Sequence, residues 1–120
     1  WITYHGKIND KQKIKNIFKQ NDFFLMPSKF ETFGLVYIEA LSQGLPILYT
    51  KNQGVDGLFN PAVGLATKAN KNKNIANNIE KMILNSNEYK ENITNLNFNE
   101  FSWKSIFENY YLKLYQKLKK

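Results

Sequence analysis

Cysteine and arginine are both absent from this 120-residue chain, histidine occurs once, and proline only three times. Without cysteine there is no disulfide and no thiolate metal site, and a single histidine, His5, excludes a multi-histidine metal cluster within the chain. Such a composition is compatible with an intracellular protein. The lack of arginine weighs against direct readout of nucleic acid, because bidentate recognition of phosphates and guanines draws on the planar guanidinium fork. No apolar run approaches the roughly 20 residues of a membrane-spanning helix. The first residues carry no signal-peptide pattern. Trp1-Ile2-Thr3-Tyr4 nevertheless reads as the middle of a β-strand, without initiator methionine, charged lead-in or cap. The chain is therefore expected to be a piece of a longer polypeptide, whose upstream signals would be out of view.

What is present is lysine, which supplies all 17 basic residues against 10 acidic ones, for a net charge of +7. That excess suits an anionic partner such as nucleic acid, a membrane surface or a phosphorylated small molecule. The lysines are spread along the chain, however, many on polar helix faces, and asparagine (17 residues) and isoleucine (11) are abundant too. A coding bias toward A and T accounts for much of this, and no nucleic-acid partner is expected.

Strand and helix patterns alternate. After an opening strand through His5, Asn9 and Asp10 offer an N-cap to a helix carrying Ile14, Ile17 and Phe18 up to Lys19. Phe23 to Met26 is a short apolar run stopped by Pro27, the pattern of a strand buried on both faces. A second helix is expected from Phe33 or Gly34 to Gln43, with Gly44 as its C′ residue. The next strand is Leu45 to Thr50, with Pro46 tolerable at its start. Residues 51–63 read as a loop and Gly64 to Thr67 as a short strand. Helical spacing returns with Ile75, Ile79, Met82 and Ile83, and more weakly over residues 87–96. From Ser102, a good N-cap, a last helix carries Trp103, Ile106, Phe107, Tyr110, Leu114 and Leu118 on one apolar face. This aromatic stripe reads as packing rather than as a platform for a sugar. Alternation of this kind implies an α/β fold, a parallel sheet flanked by helices. Ligands of such sheets bind beyond the carboxyl ends of the strands, here the loops after Tyr4, Met26 and Thr50.

The stretch PSKFETFGLVYIEALSQGLP, residues 27–46, holds two glutamates, Glu31 and Glu39. If residues 34–43 are helical, the eight-residue separation corresponds to at most about 12 Å along the axis, and the carboxylates do not touch. They bracket instead a helix N-terminus at which Ser28, Thr32, Phe33, Gly34 and Leu35 would offer free backbone N–H groups to an anion. A diphosphate placed there would have one carboxylate near each end, and each carboxylate can accept hydrogen bonds from vicinal sugar hydroxyls. By spacing alone the pair is equally an acid near a helix start and a solvent-facing helical glutamate. Yet Glu39 interrupts the apolar run Leu35-Val36-Tyr37-Ile38, where a charge is less expected unless it faces a ligand.

Pro27-Ser28-x-x-Glu31-x-Phe33-Gly34-Leu35, continuing to Ile38-Glu39-Ala40-Leu41-x-x-Gly44-Leu45-Pro46-Ile47, resembles the signature of retaining GT-B glycosyltransferases, the glycosyl transferases group 1 family. Tyr4-His5-Gly6-Lys7 looks like the strand end before that family's base pocket, and nearly all 120 residues follow the family's order. The resemblance implies a Rossmann-like fold and a partial C-terminal, nucleotide-sugar-binding domain over residues 1–120, lacking its upstream part and the N-terminal acceptor domain. It implies that Glu31 contacts donor-sugar hydroxyls as the catalytic-site acid. The backbone around Thr32, Phe33, Gly34 and Leu35 would hold the sugar and diphosphate. Glu39 would accept the ribose hydroxyls, and Gly6 and Lys7 would lie near the base. His5 reads as a packed or surface residue.

The implied activity is transfer of a hexose-type sugar from a nucleoside diphosphate to a sugar or lipid-linked acceptor, with retention, in cell-surface polysaccharide or glycoconjugate synthesis. No metal or other cofactor is expected. The N-terminal domain of the same protein is the expected partner, and the location cytoplasmic, with peripheral contact to the inner face of the membrane through the lysine-rich last helix. The family's diphosphate-neutralising cations lie upstream of Trp1, so the 120 residues alone are expected to be inactive. Where the family usually has two glycines and a glutamate after the Ile47 strand, this chain reads Asn52-Gln53-Gly54-Val55-Asp56-Gly57, which leaves the role of that loop open. The alternatives are a non-catalytic nucleotide-binding or interaction module and a nucleotide-sugar epimerase of the same architecture.

Overall fold

The computed structural model describes residues 1–69 and 71–119. Helix α1 spans Lys11–Lys19 and is capped as its sequence demands: the Asp10 carboxylate accepts from the backbone N–H groups of Gln12 and Lys13. A two-residue strand β1, Phe24–Leu25, leads through an irregular loop to α2, Leu35–Ser42. Strands β2, Ile47–Thr50, and β3, Gly64–Thr67, complete a parallel sheet of order β1-β2-β3. Helices α3, Asn72–Leu84, and α4, Ser86–Thr94, follow, hinged on Asn85. After a 3-10 turn at Phe98–Phe101, α5 (Trp103–Ile106), a π-helical turn (Phe107–Tyr111) and α6 (Leu112–Leu118) form one continuous last helix.

α2 stops where its glycine predicts. Gly44 takes φ +83°, its N–H donates to Leu41 O, and the N–H of Leu45 donates to Ala40 O. This is the reciprocal pair of bonds that closes a helix on a left-handed C′ residue. It delivers the chain straight into β2, whose successive side chains enter opposite layers. Ile47 packs with Phe18, Tyr37 and Leu41 under α1 and α2, while Leu48 packs with Met82 and Tyr89 under α3 and α4. Both are fully buried, each worth about 1.5–3 kcal/mol of transfer free energy. Four rings run through the first layer edge to face: Phe18 to Phe24 at 5.5 Å, Phe24 to Tyr37 at 5.8 Å, Tyr37 to Tyr49 at 6.3 Å. β2 reaches β3 without a helix, through the loop 51–63.

Three expectations are corrected. Residues 1–9 form no strand, and Trp1, Ile2 and Tyr4 lie in solvent. A strand needs a neighbour's backbone, and among the described residues β1 pairs with β2 alone. β1 is also not buried on both faces. Phe24 joins the core, but Leu25 is 43% exposed on β1, the edge strand among the described residues. Finally, the aromatic stripe of the last helix is not packed. Phe101 meets Phe59 at 6.1 Å, but the helix beyond buries none of its residues, and Trp103 and Tyr110 are 79% and 71% exposed. An apolar face marks a surface that gains by burial; it does not supply the partner. Among the described residues, no helix is long and apolar enough to cross a membrane.

Candidate functional site

The loops at the carboxyl ends of β1 and β2 meet at the start of α2. Gly34 holds φ +78° as the N-cap of that helix, with no side-chain capping bond. The N–H groups of Thr32, Phe33, Gly34 and Leu35 have no partner among the described residues, so they remain as donors at the positive end of the helix. Ser28 is a correction: its N–H donates to Met26 O at 2.9 Å, closing the turn after β1, and is not free for a ligand. Glycine at position 34 is enforced by packing as well as by φ. A Cβ there would sit 2.5 Å from Cδ2 of Tyr37 and 3.3 Å from the Glu31 carboxyl carbon.

Tyr37 is the buried post beneath this turn. Its hydroxyl donates to Met26 O. Burial, and secondarily the negative charge of Glu31, push its ionisation up to about 12, so the phenol stays a donor at neutral pH. Sequence reading missed Tyr37, because its apolar helical position looked like ordinary core.

Glu31 is half-buried, set against Gly34 and Gly54. Glu39 is exposed and lines a different feature, a groove of about 330 Å³ between α1 and α2 whose other walls include Ile8, Lys11, Ile14, Phe18 and Gln43. The two side chains therefore have different surroundings, Glu31 against Gly34 and Gly54 and Glu39 in the groove with α1. Phe33 and Leu35 are exposed beside them. Gly6 and Lys7 are exposed too and fall outside the groove's described lining, although Ile8 and Asn9, which follow them, form part of it. Among the described residues no group of His, Asp and Glu is arranged to hold a metal ion.

A parallel sheet with helices on both faces, whose carboxyl-end loops meet at the start of α2, defines an α/β domain of the Rossmann-like, GT-B type. Residues 2–97 match the family described as glycosyl transferases group 1, and the chain belongs to that family. It is 34% identical over 110 residues to a sucrose-phosphate synthase of Spinacia oleracea, covering 88% of this chain and 10% of that protein. It is 30% identical over 82 residues to a D-inositol 3-phosphate glycosyltransferase of Arthrobacter sp. (strain FB24), covering 68% of this chain and 19% of that protein. A sulfoquinovosyl transferase of Arabidopsis thaliana is 40% identical over 47 residues, 39% of this chain and 9% of that protein. The chain thus spans about a fifth or less of the length of these relatives.

Proposed function

We propose that this chain carries the donor site of a retaining glycosyltransferase that moves a hexose-type sugar from a nucleoside diphosphate to a sugar or lipid-linked acceptor, in polysaccharide or glycoconjugate synthesis. The observation that carries this reading is the N-terminus of α2, where the N–H groups of Thr32 to Leu35 have no partner among the described residues, with Glu31 set against Gly34 and Glu39 lining the groove between α1 and α2. On this reading the diphosphate sits on the N–H groups of Thr32 to Leu35, where developing leaving-group charge meets fixed dipoles. Glu31 engages the sugar hydroxyls as the catalytic acid. Glu39 accepts from the ribose, with the base directed toward the segment containing Gly6 and Lys7. Positioning and charge stabilisation, not a metal, supply the catalysis. Removing one charge-stabilising donor costs such a site about 2.7–4 kcal/mol, so without cations and an acceptor domain from elsewhere in the polypeptide these residues do not turn over. The reaction belongs on the cytoplasmic side of the membrane.

The test is calorimetric titration of the longest polypeptide carrying these residues with UDP, GDP, ADP and their common sugars, repeated after Glu39→Ala. Selective binding of one nucleotide, weakened by the substitution with the fold intact, is expected. Binding of none of them overturns the reading in favour of a non-catalytic module.

A further inference from the structure

The segment that carries Glu31 has almost nothing of its own to hold it. Between Lys29 and Phe33 no backbone group hydrogen-bonds to another backbone group among the described residues. The bonds that fix it come from the end of β2 and the loop that follows. The buried Thr50 hydroxyl donates to Ser28 O at 2.6 Å. The Gln53 carboxamide uses both its ends: Nε2 donates to Lys29 O at 2.9 Å, and Oε1 accepts from Glu31 N–H at 2.8 Å. Gly54 then brings the loop directly onto the glutamate, since a Cβ there would lie 3.0 Å from Glu31 Cγ. The loop is itself closed by Asp56, whose carboxylate accepts from Asn52 N–H at 2.6 Å.

We propose that Gln53, seconded by Thr50, is the positioning residue of the donor site: its carboxamide straps the loop 29–31 so that the Glu31 carboxylate faces the sugar, and not the nucleotide, of a bound nucleoside-diphosphate sugar. This rests on the donor-site reading above and gives the divergent Asn52–Gly57 loop a task. A side chain placed by a flexible loop must be locked by a supporting shell to act on substrate. Here that shell lies 22 and 24 residues away in the chain. Glu39 rides on α2 and makes no use of it, so the strap serves one half of the ligand only.

The experiment uses Gln53→Ala and the isosteric Thr50→Val, titrated with UDP, GDP and ADP and with the corresponding glucose nucleotides, alongside amide hydrogen exchange. With Gln53→Ala the affinity for the free nucleoside diphosphate is expected to hold. The additional affinity contributed by the sugar falls about tenfold, as for loss of a hydrogen-bonded support. The Glu31 amide exchanges faster, while the Ile47 amide, bonded to Val63 O, keeps its protection. Thr50→Val shifts the sugar contribution in the same direction. An unchanged ratio of sugar-nucleotide to nucleotide affinity in both variants overturns the strap and leaves the donor site standing. If the unsubstituted protein binds no nucleotide, the donor-site reading fails and the strap goes with it. If Gln53→Ala loses Ile47 protection, Thr50→Val decides by the same ratio.

Discussion

Replacing Gly34 with alanine tests how tightly the α2 N-terminus is built, and a second glycine provides the control. Gly34 and Gly57 share the same φ of +78°. In that region an alanine costs about 1–2 kcal/mol at either position. They differ in surroundings: a Cβ at Gly57 meets nothing within 4 Å, whereas one at Gly34 lands 2.5 Å and 2.6 Å from two carbons of the Tyr37 ring. That ring cannot easily swing aside, because its hydroxyl is bonded to Met26 O and its faces and edges meet Phe24 and Tyr49. Overpacking a fixed neighbour adds about 1–3 kcal/mol, so Gly34→Ala should cost about 2–5 kcal/mol in all, a large share of the about 5–15 kcal/mol that holds a domain together. Urea unfolding of both variants measures the difference, with an unchanged m-value showing that the unfolding transition is the same one. Equal losses at the two positions would refute the steric half of the reasoning. A Gly34→Ala protein within about 0.5 kcal/mol of the parent would refute both halves, since that is the range of an inconsequential surface change.

Gly64→Ala should be at least as damaging as Gly34→Ala, since its Cβ would meet Ile47 O at 1.8 Å across the β2–β3 ladder; the same urea series checks it. Tyr37 has its ionisation raised from 10.0 to about 12, so its contribution to stability is fully present below about pH 10 and is lost as pH rises toward 12. Tyr37→Phe should flatten part of that alkaline loss in a pH series of melting curves, leaving the share of Tyr49 and Tyr89, whose ionisations burial also raises. Ser102→Ala removes the oxygen that accepts from Ser105 N–H at 3.1 Å and should cost about 1 kcal/mol of helix stability, read as local amide exchange at the start of α5. The exposed Lys90–Asp22 pair at 3.4 Å should contribute under about 1 kcal/mol, and Lys90→Met measures it.

The chain announced those elements whose determinants are local. Asp10, Gly44 and Ser102 act within a few residues of where they stand, and the helix ends they predict are the ones observed. The start of α2 just after Gly34 was likewise legible, because the glycine acts next to where it stands. What the sequence did not disclose depends on something distant or absent from local pattern. Trp1 to Tyr4 has the composition of a strand but pairs with no strand among the described residues. The stripe from Trp103 to Leu118 has the period of a buried face without showing what covers it. Gln53 looked like a loop residue departing from a family pattern, because its two bonds reach back 22 and 24 residues and no periodicity encodes them.

The placement of the aromatic residues determines which optical signals report on this fold. Both tryptophans, Trp1 and Trp103, stand in water in the native state, at 114% and 79% exposure. Their emission should therefore already resemble that of the unfolded chain, and a fluorescence melt would be nearly silent about the core. The asymmetric environment belongs instead to the ladder of Phe18, Phe24, Tyr37 and Tyr49, so near-ultraviolet circular dichroism in the tyrosine band is the signal that should collapse when the sheet lets go of α2.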